Sequence, residues 1–330
     1  MYVNEFAARD GMLRVHMIGH GSEPKKSDAF LLEYNGTFIM IDGGLENCDA
    51  SLRYLLEIRR TLLSGHEELI DDPTCRLKLD IMISHFHSDH VGALYTMVFP
   101  SPYLEIGKLY MSPHCRLDER YGLCGDVKYR PLLERAMTAY QPQTETVSYG
   151  FGVESSFSLS MFSGDPTAPV VTVCPAWINS ADEGRIARMI ETRFQGDEQN
   201  ANIATMVMNN NSTWIHVRHG NRTFLFTGDT VKKNKPIGYE MVEEMTEAYA
   251  SVLGQVDVVK YIHHGYKRNA AADAMMSFQP RYVVVTAEIA TGNEVIREKY
   301  PDSDVKLINC GVQTYVFESD GEDLTVTPEV

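Results

Sequence analysis

The chain is decided by one stretch, Leu79-Asp80-Ile81-Met82-Ile83-Ser84-His85-Phe86-His87-Ser88-Asp89-His90-Val91-Gly92-Ala93-Leu94. An apolar, strand-like run ends in a turn that holds three histidines and an aspartate within six residues, and a helical pattern follows. Neutral imidazole and carboxylate are the ligands zinc and similar ions prefer, and a short turn after a rigid strand lets neighbouring side chains converge. With 11 histidines spread over 330 residues, composition alone rarely produces such a cluster. His85, His87, Asp89 and His90 therefore read as metal ligands.

Working outward, strand-like runs bounded by Gly, Asp or Asn recur at Leu13 to Ile18, Ala29 to Tyr34, Thr37 to Ile41, Lys108 to Met111, Val170 to Val173, Thr213 to Arg218, Thr223 to Thr227, Val256 to Ile262, Tyr282 to Thr286, Lys306 to Ile308 and Thr314 to Glu318. Helical periodicity marks Ala50 to Ser64, Val91 to Val98, Tyr129 to Tyr140, Ala181 to Phe194, Ile237 to Leu253 and Ala270 to Phe278. Polar links such as Asn35-Gly36 and Gly220-Asn221 join strands in pairs, so much of the sheet should be antiparallel hairpins and not a repeated βαβ series. No internal repeat and no long Pro/Gly/Ser linker divides the chain, which reads as one α/β domain over residues 1–330. The irregular segment at about 112–169 is expected to be a cap or insertion over that scaffold.

Composition excludes several classes. The chain is 44% hydrophobic and 23% charged, that of an ordinary globular protein, and has no apolar run long enough to span a membrane. The amino terminus lacks a basic region followed by an apolar run, so the expected location is the cytoplasm. A formal charge of −15 argues against nonspecific coating of nucleic acid or anionic membrane. The six cysteines, with no C-x-x-C pair, read as reduced thiols, Cys115 and Cys124 being close enough in sequence to touch.

The His-x-His-x-Asp-His turn after a strand resembles the signature of the metallo-β-lactamase fold hydrolases. Three further segments resemble that family in the family's order. Thr37 to Ile41 followed by Asp42-Gly43-Gly44 is similar to its early strand, whose aspartate supports the metal site from behind. Thr223 to Gly228 followed by Asp229 is similar to the strand that delivers a metal-bridging aspartate. Val256 to Ile262 followed by His263-His264-Gly265 is similar to the strand that delivers the last histidine, His263 being favoured as ligand because it comes first. A finer resemblance, carried by Gly19-His20-Gly21, Asn209-Asn210-Asn211-Ser212, Thr227-Gly228-Asp229 and Lys260 to Gly265, points to the hydrolase domain of the DNA-uptake protein ComEC. Gln is usual in that domain where His20 stands, and Ser or Thr where Tyr266 stands.

The resemblance implies a four-layer αββα sandwich holding one or two zinc ions, with manganese or iron as alternatives. His85 and His87 would serve one ion, Asp89, His90 and His263 a second, and Asp229 would bridge them. Asp89, Asp229 and Asp42 would carry the catalytic chemistry, and a bound ion that lowers the pKa of water to roughly 7 would supply hydroxide as nucleophile. One departure stands out: where the family usually supplies a third histidine for the first ion, this chain offers Asn209, Asn210 and Asn211. The two sites are therefore expected to be unequal, with Asn209 to Asn211 and His264 as candidates for direct or supporting contact.

Lys232, Lys233 and Lys235 follow the Asp229 segment, and Lys267 and Arg268 follow His264. Basic residues behind two ligand loops favour an anionic substrate, a phosphodiester in a nucleotide or short nucleic acid. An ester, lactone or thioester hydrolase would use the same ligands and line its pocket with Tyr121, Tyr129, Phe151 and Phe157. A third alternative is a metal-binding regulatory protein without catalysis.

Overall fold

Alternation along the strands sets the layering, because successive residues of a strand point to opposite faces of its sheet. In the computed structural model, which describes residues 1–20, 26–113, 128–150, 157–159, 161–162, 165–175, 209–230, 237–265, 271–288 and 291–329, strand β1 is Leu13–Met17, β2 is Phe30–Tyr34 and β3 is Thr37–Ile41. Phe30 and Leu32 of β2 enter one core with Leu13 and Val15, whereas Leu31 between them enters another with Phe38 and Met40.

Strands β4 (Leu77–Met82), β5 (Leu104–Met111) and β6 (Glu145–Ser148) extend this sheet on one side, and β14 (Tyr315–Ser319) and β15 (Leu324–Pro328) on the other. Its eight strands run in the order β15-β14-β1-β2-β3-β4-β5-β6. The second sheet contains β7 (Phe157–Leu159), β8 (Val170–Cys174), β9 (Trp214–His219), β10 (Arg222–Phe226), β11 (Val258–Lys260), β12 (Tyr282–Val285) and β13 (Lys306–Asn309), ordered β13-β12-β11-β10-β9-β8-β7. The outward face of the first sheet is covered by α1 (Ala50–Leu62), α2 (Ser88–Ala93) and α3 (Arg130–Tyr140), through Leu55, Val91 and Leu133. That of the second is covered by α4 (Ile237–Leu253), α5 (Ala272–Met276) and α6 (Thr291–Lys299), through Val242, Met245, Met275 and Ile296.

Three separate buried cores thus lie between four layers, helix, sheet, sheet, helix, which is the αββα sandwich. The middle core joins the sheets with Ile39, Ile41, Phe226, Val258 and Val284, each buried. Full burial of such side chains contributes roughly 1.5–3 kcal/mol apiece.

Among the described strands seven pairings are antiparallel, including the hairpins β2 with β3 and β9 with β10. The other six are parallel, through β3-β4-β5-β6 and β10-β11-β12-β13, and form repeated βαβ units against expectation, because the amphipathic helices between these strands cross over and return the chain in the same direction. This parallel half matters for the site, because it places the carboxyl ends of β3, β4, β10 and β11 along one edge. Helix α2 begins at Ser88, three residues ahead of the Val91 at which apolar periodicity starts, and a π-helical turn, Leu94–Val98, completes it.

Strands β6, β7 and β15 and helix α6 escape the apolar-run reading because they are short, at sheet edges, or rich in polar residues. Part of the expected cap at 112–169 belongs to the scaffold instead: β6 pairs with β5, β7 pairs with β8, and Leu133 of α3 is buried in the core. The helix expected at 181–194, Tyr121, Phe151, and Cys115 with Cys124 lie outside the described residues, while Cys48, Cys75, Cys174 and Cys310 are buried free thiols. Among the described residues no helix is long and apolar enough to cross a membrane.

Gly43 shows how tightly the site edge is packed, since a Cβ there would lie 2.3 Å from Leu94 Cδ2. Gly43→Ala should cost about 1–3 kcal/mol in urea unfolding. The double variant Gly43→Ala/Leu94→Ala should be less destabilised than the sum of the two single changes; strict additivity would show that the contact is not the source of the cost.

Candidate metal centre

Both sheets deliver polar residues to the same edge. Beyond β4 the chain turns through Ser84 and His85 to the amino end of α2, which carries Asp89 and His90. Beyond β10 it turns at Gly228 with φ +53°, where a Cβ would meet Ser212 at 2.7 Å, and presents Asp229. Beyond β11, His263 and His264 both adopt left-handed backbone, φ 47° and 59°. Asp42, directly after β3, does the same at φ 54°. Non-glycine residues avoid this region at a cost on the order of 1–3 kcal/mol each, and persist there only where surrounding contacts over-determine them.

Those contacts are visible. Asp42 accepts hydrogen bonds from the Ser84 amide (2.8 Å) and Ser84 hydroxyl (2.7 Å), and its Oδ2 lies 2.8 Å from His90 Nδ1. Its carboxylate stands on the Nδ1 side of His90, against Ser84. The loop before β9 ties the sheets together: the Thr213 amide donates to the Ser84 carbonyl, and the Asp229 amide donates to Ser212 Oγ.

Asp229 sits in the middle. Its Oδ1 is 3.2 Å from His90 Nε2, and its Oδ2 is 3.1 Å from His264 Nε2 and 3.6 Å from His263 Nε2. Asp89 Oδ2 lies 3.4 Å from the same His264 nitrogen. Two groups with ligand chemistry share Asp229, namely His85 with His87, and Asp28 with His90 and His264. Where the sequence favours His263 over His264, the geometry puts His264 deeper: it is fully buried, with Nδ1 fixed 3.0 Å from Asp28 Oδ1 and from Thr286 Oγ1. His263 stands nearer the surface, its Nε2 3.4 Å from Lys26 Nζ and 3.5 Å from Asn209 Nδ2.

Whether this set suits a divalent cation can be judged from its unused atoms. His85 Nε2 is buried and makes no hydrogen bond, and His90 Nε2 and His264 Nε2, equally buried, meet only carboxylate oxygens, of Asp229 at 3.2 and 3.1 Å and, for His264, of Asp89 at 3.4 Å. Buried polar atoms are normally paired, so converging lone pairs of this kind describe a cation site. The residues fit a metal ion.

The charges agree. Burial, reinforced by repulsion from His90 and His87, holds His85 well below the ordinary histidine value, and burial likewise lowers His87, so both present neutral nitrogens. Burial also opposes charge on His90 and His264, but neighbouring carboxylates outweigh it: Asp229 and Asp42 raise His90 well above its ordinary value, and Asp229 and Asp28 push His264 up to about 9. His263 is lowered to about 3, chiefly by burial. Although burial favours the neutral acid, His264 and His90 hold Asp229 and Asp89 well below the usual carboxylate range.

Of the residues singled out in the sequence, the structure gathers Asp42, His85, His87, Asp89, His90, Asp229, His263 and His264, and buries Asn209, Asn210 and Asn211 beside them. Lys232, Lys233, Lys235, Lys267 and Arg268 lie outside the described residues. Three functional candidates were not anticipated: Lys26, half-exposed and 3.4 Å from Asp89 Oδ2, Asp28, and Lys260. Asp28 looks like an ordinary residue before a strand. Lys260 carries a signal, being a charge between the apolar pairs Val258-Val259 and Tyr261-Ile262.

No known protein-family model and no curated protein matches the chain. Among solved structures it is similar to the metallo-β-lactamase fold protein YhfI from Bacillus subtilis, at 12% identity and a TM-score of 0.46, over 93% of this chain and 99% of that one. It is also similar to the short form of human tRNase Z (13%, TM-score 0.42, 82% and 91%) and to a diphosphatase from the PhnP family (11%, TM-score 0.41, 90% and 94%).

Neighbouring carboxylates raise His90 and His264 above the ordinary histidine value, which favours protons on these rings in the metal-free protein, and a cation binding their nitrogens must displace such protons. Adding Zn²⁺ to metal-free protein at pH 7 should release protons from the His90/His264 group and none from His85 and His87, read as a buffer-dependent enthalpy in calorimetry. Apparent affinity should rise with pH and level off above about 9, where His264 has lost its proton. An enthalpy independent of buffer would show that these rings do not bind the ion.

Proposed function

We propose that the protein is a metal-dependent hydrolase of phosphodiesters, in a nucleotide or short nucleic acid. The observation that carries this reading is the shared carboxylate: Asp229 lies between the His85/His87 pair and the His90/His264 pair, an arrangement suited to two ions. Bound there, such ions would polarise the phosphoryl group and lower the pKa of attacking water. Zinc suits the imidazole and carboxylate donors, with manganese or iron as alternatives.

The chain's own residues then divide the remaining work. Asp42 and Asp28, each hydrogen-bonded to an Nδ1, orient His90 and His264 with Nε2 toward the centre. Asp229 and Asp89 stay ionised across the neutral range and offer oxygen donors. His263, neutral and facing Lys26 and Asn209 through Nε2, helps hold the ammonium of Lys26 at the mouth. Lys26 raises the local positive potential where an anionic substrate would enter an otherwise acidic protein, joining Lys232, Lys233 and Lys267 in the role proposed for them.

The motif resemblance to the ComEC hydrolase domain supports the nucleic-acid class of substrate; it rests on the quoted segments alone. A cytoplasmic location and a single domain over 1–330 complete the reading. Of the aromatic residues suggested for the carboxylic-ester alternative, Tyr129 packs against the core of the first sheet, and the side chains of Tyr121, Phe151 and Phe157 lie outside the described residues.

Asp229→Ala should abolish hydrolysis of bis-nitrophenyl phosphate, because it removes a donor common to both groups. Lys26→Ala should raise KM several-fold with kcat little changed, since a lysine at the mouth binds ground and transition states alike. Zinc- or manganese-loaded protein that left this substrate and short DNA intact but cleaved lactones or thioesters would overturn the phosphodiester reading while leaving the metal centre in place.

A further inference from the structure

Lys260 ends β11, where its side chain shares the inter-sheet face with Val258, a residue of the middle core. At that position a lysine is fully buried, and burial of a charge demands compensation on all sides. It is supplied: Nζ lies 2.5 Å from Asp28 Oδ2, 2.6 Å from the Gly228 carbonyl oxygen and 3.5 Å from Asp229 Oδ1. All three partners are acceptors, matching the three donors of an ammonium.

This placement bears on Asp28, His90, Asp229 and His264, four buried residues whose ligand atoms lie within 4.8 Å of one another. By chemistry alone they would pass for a metal site. Yet Asp28 faces the Nδ1 side of both rings, 3.0 Å from His264 Nδ1 and 3.9 Å from His90 Nδ1, and the two Nε2 atoms point away toward Asp229.

We propose that Lys260 Nζ occupies the cation position beside this quartet, so that Asp28 is a positioning carboxylate and not a metal ligand. Asp28 divides its oxygens between the two tasks. Oδ2 is held by Lys260, and Oδ1 receives Thr286 Oγ1 and the Nδ1 hydrogen of His264. With Nδ1 protonated, His264 has its lone pair on Nε2, facing Asp229 and Asp89. Without the ammonium, Asp28 and Asp229 would be like charges in a nearly dry pocket, and Asp28 would turn toward the nearest other cation. Lys260 thereby separates the polar interior of the sandwich from the face that can accept metal.

The inference rests on the reading of His90 and His264 as holding the ion, and its test needs no turnover. Metal-free wild type and Lys260→Met are titrated with Zn²⁺ by calorimetry, bound zinc is counted by elemental analysis, and the ring nitrogens of zinc-loaded protein are read by ¹⁵N NMR. Wild type should show His264 protonated at Nδ1. Lys260→Met keeps the volume and loses the charge, and should bind the same number of ions at least tenfold more weakly, with the His264 ring signals displaced. Wild-type affinity and ring signals in that variant would overturn the proposal.

Where circular dichroism shows that Lys260→Met does not fold, Asp28→Asn answers the same question. Unchanged ion count with weakened affinity supports a positioning carboxylate, and loss of one ion per chain makes Asp28 a ligand and refutes it. A wild type that binds no zinc overturns both this inference and the hydrolase reading, whereas one that binds zinc as described but spares phosphodiesters overturns the hydrolase reading alone.

Discussion

A carboxylate as buried as that of Asp229 stays ionised only if cations surround it, and the polar groups at the edge of the sandwich are arranged around that requirement. His90 approaches one oxygen and His264 the other, while Lys260 stands behind. Each of these cations in turn needs its own counter-charge, which Asp42 and Asp28 supply from the side away from the centre. The result is a nested set in which the outer carboxylates orient rings and the inner ones offer free oxygen atoms. In the metal-free protein the carboxylates favour protons on His90 and His264, which adds to the balance. Replacing them with a divalent cation leaves the nest intact, so the same scaffold can be built before the metal arrives.

The backbone shares in this arrangement. Asp42, His263 and His264 all occupy left-handed conformations, and all follow directly on strands of the inner sheets or the turn beyond them. A strand continued in extended geometry would send these side chains alternately inward and outward. The left-handed residues break that alternation and let consecutive histidines face the same edge. Their cost is offset by contacts already described, chiefly Ser84 on Asp42 and Asp28 on His264.

Much of this was legible in the sequence because its signals are local. The strand, histidine turn and helix around His85 to His90 form within sixteen residues, and the Asp-Gly and His-His-Gly turns announce themselves by residue type. The sandwich followed from apolar alternation together with the resemblance those turns carry. What stayed hidden depends on distance along the chain. Asp28 meets His264 across 236 residues, and no local pattern marks a lone aspartate ahead of a strand as the partner of a histidine near the other end. Chain order favours His263, yet His264 is the ring that lies deeper, since which of two adjacent rings turns inward is set by φ values and by Thr286, not by which comes first.

Lys260 lies between these cases. A lysine amid valines in a central strand contradicts the apolar pattern of its own segment, and such contradictions between local sequence and burial collect at functional sites. The residue could have been flagged from sequence, but its meaning could not, because its partners come from β2's leading turn and from the loop after β10. The parallel pairing of β10 with β11 brings Gly228 and Asp229 alongside it, and the β1-β2 hairpin brings Asp28 from the opposite sheet. A charge that is unfavourable within its strand thus becomes the point where both sheets are joined, which is why the polar edge and the apolar middle core can meet without an unpaired ion between them.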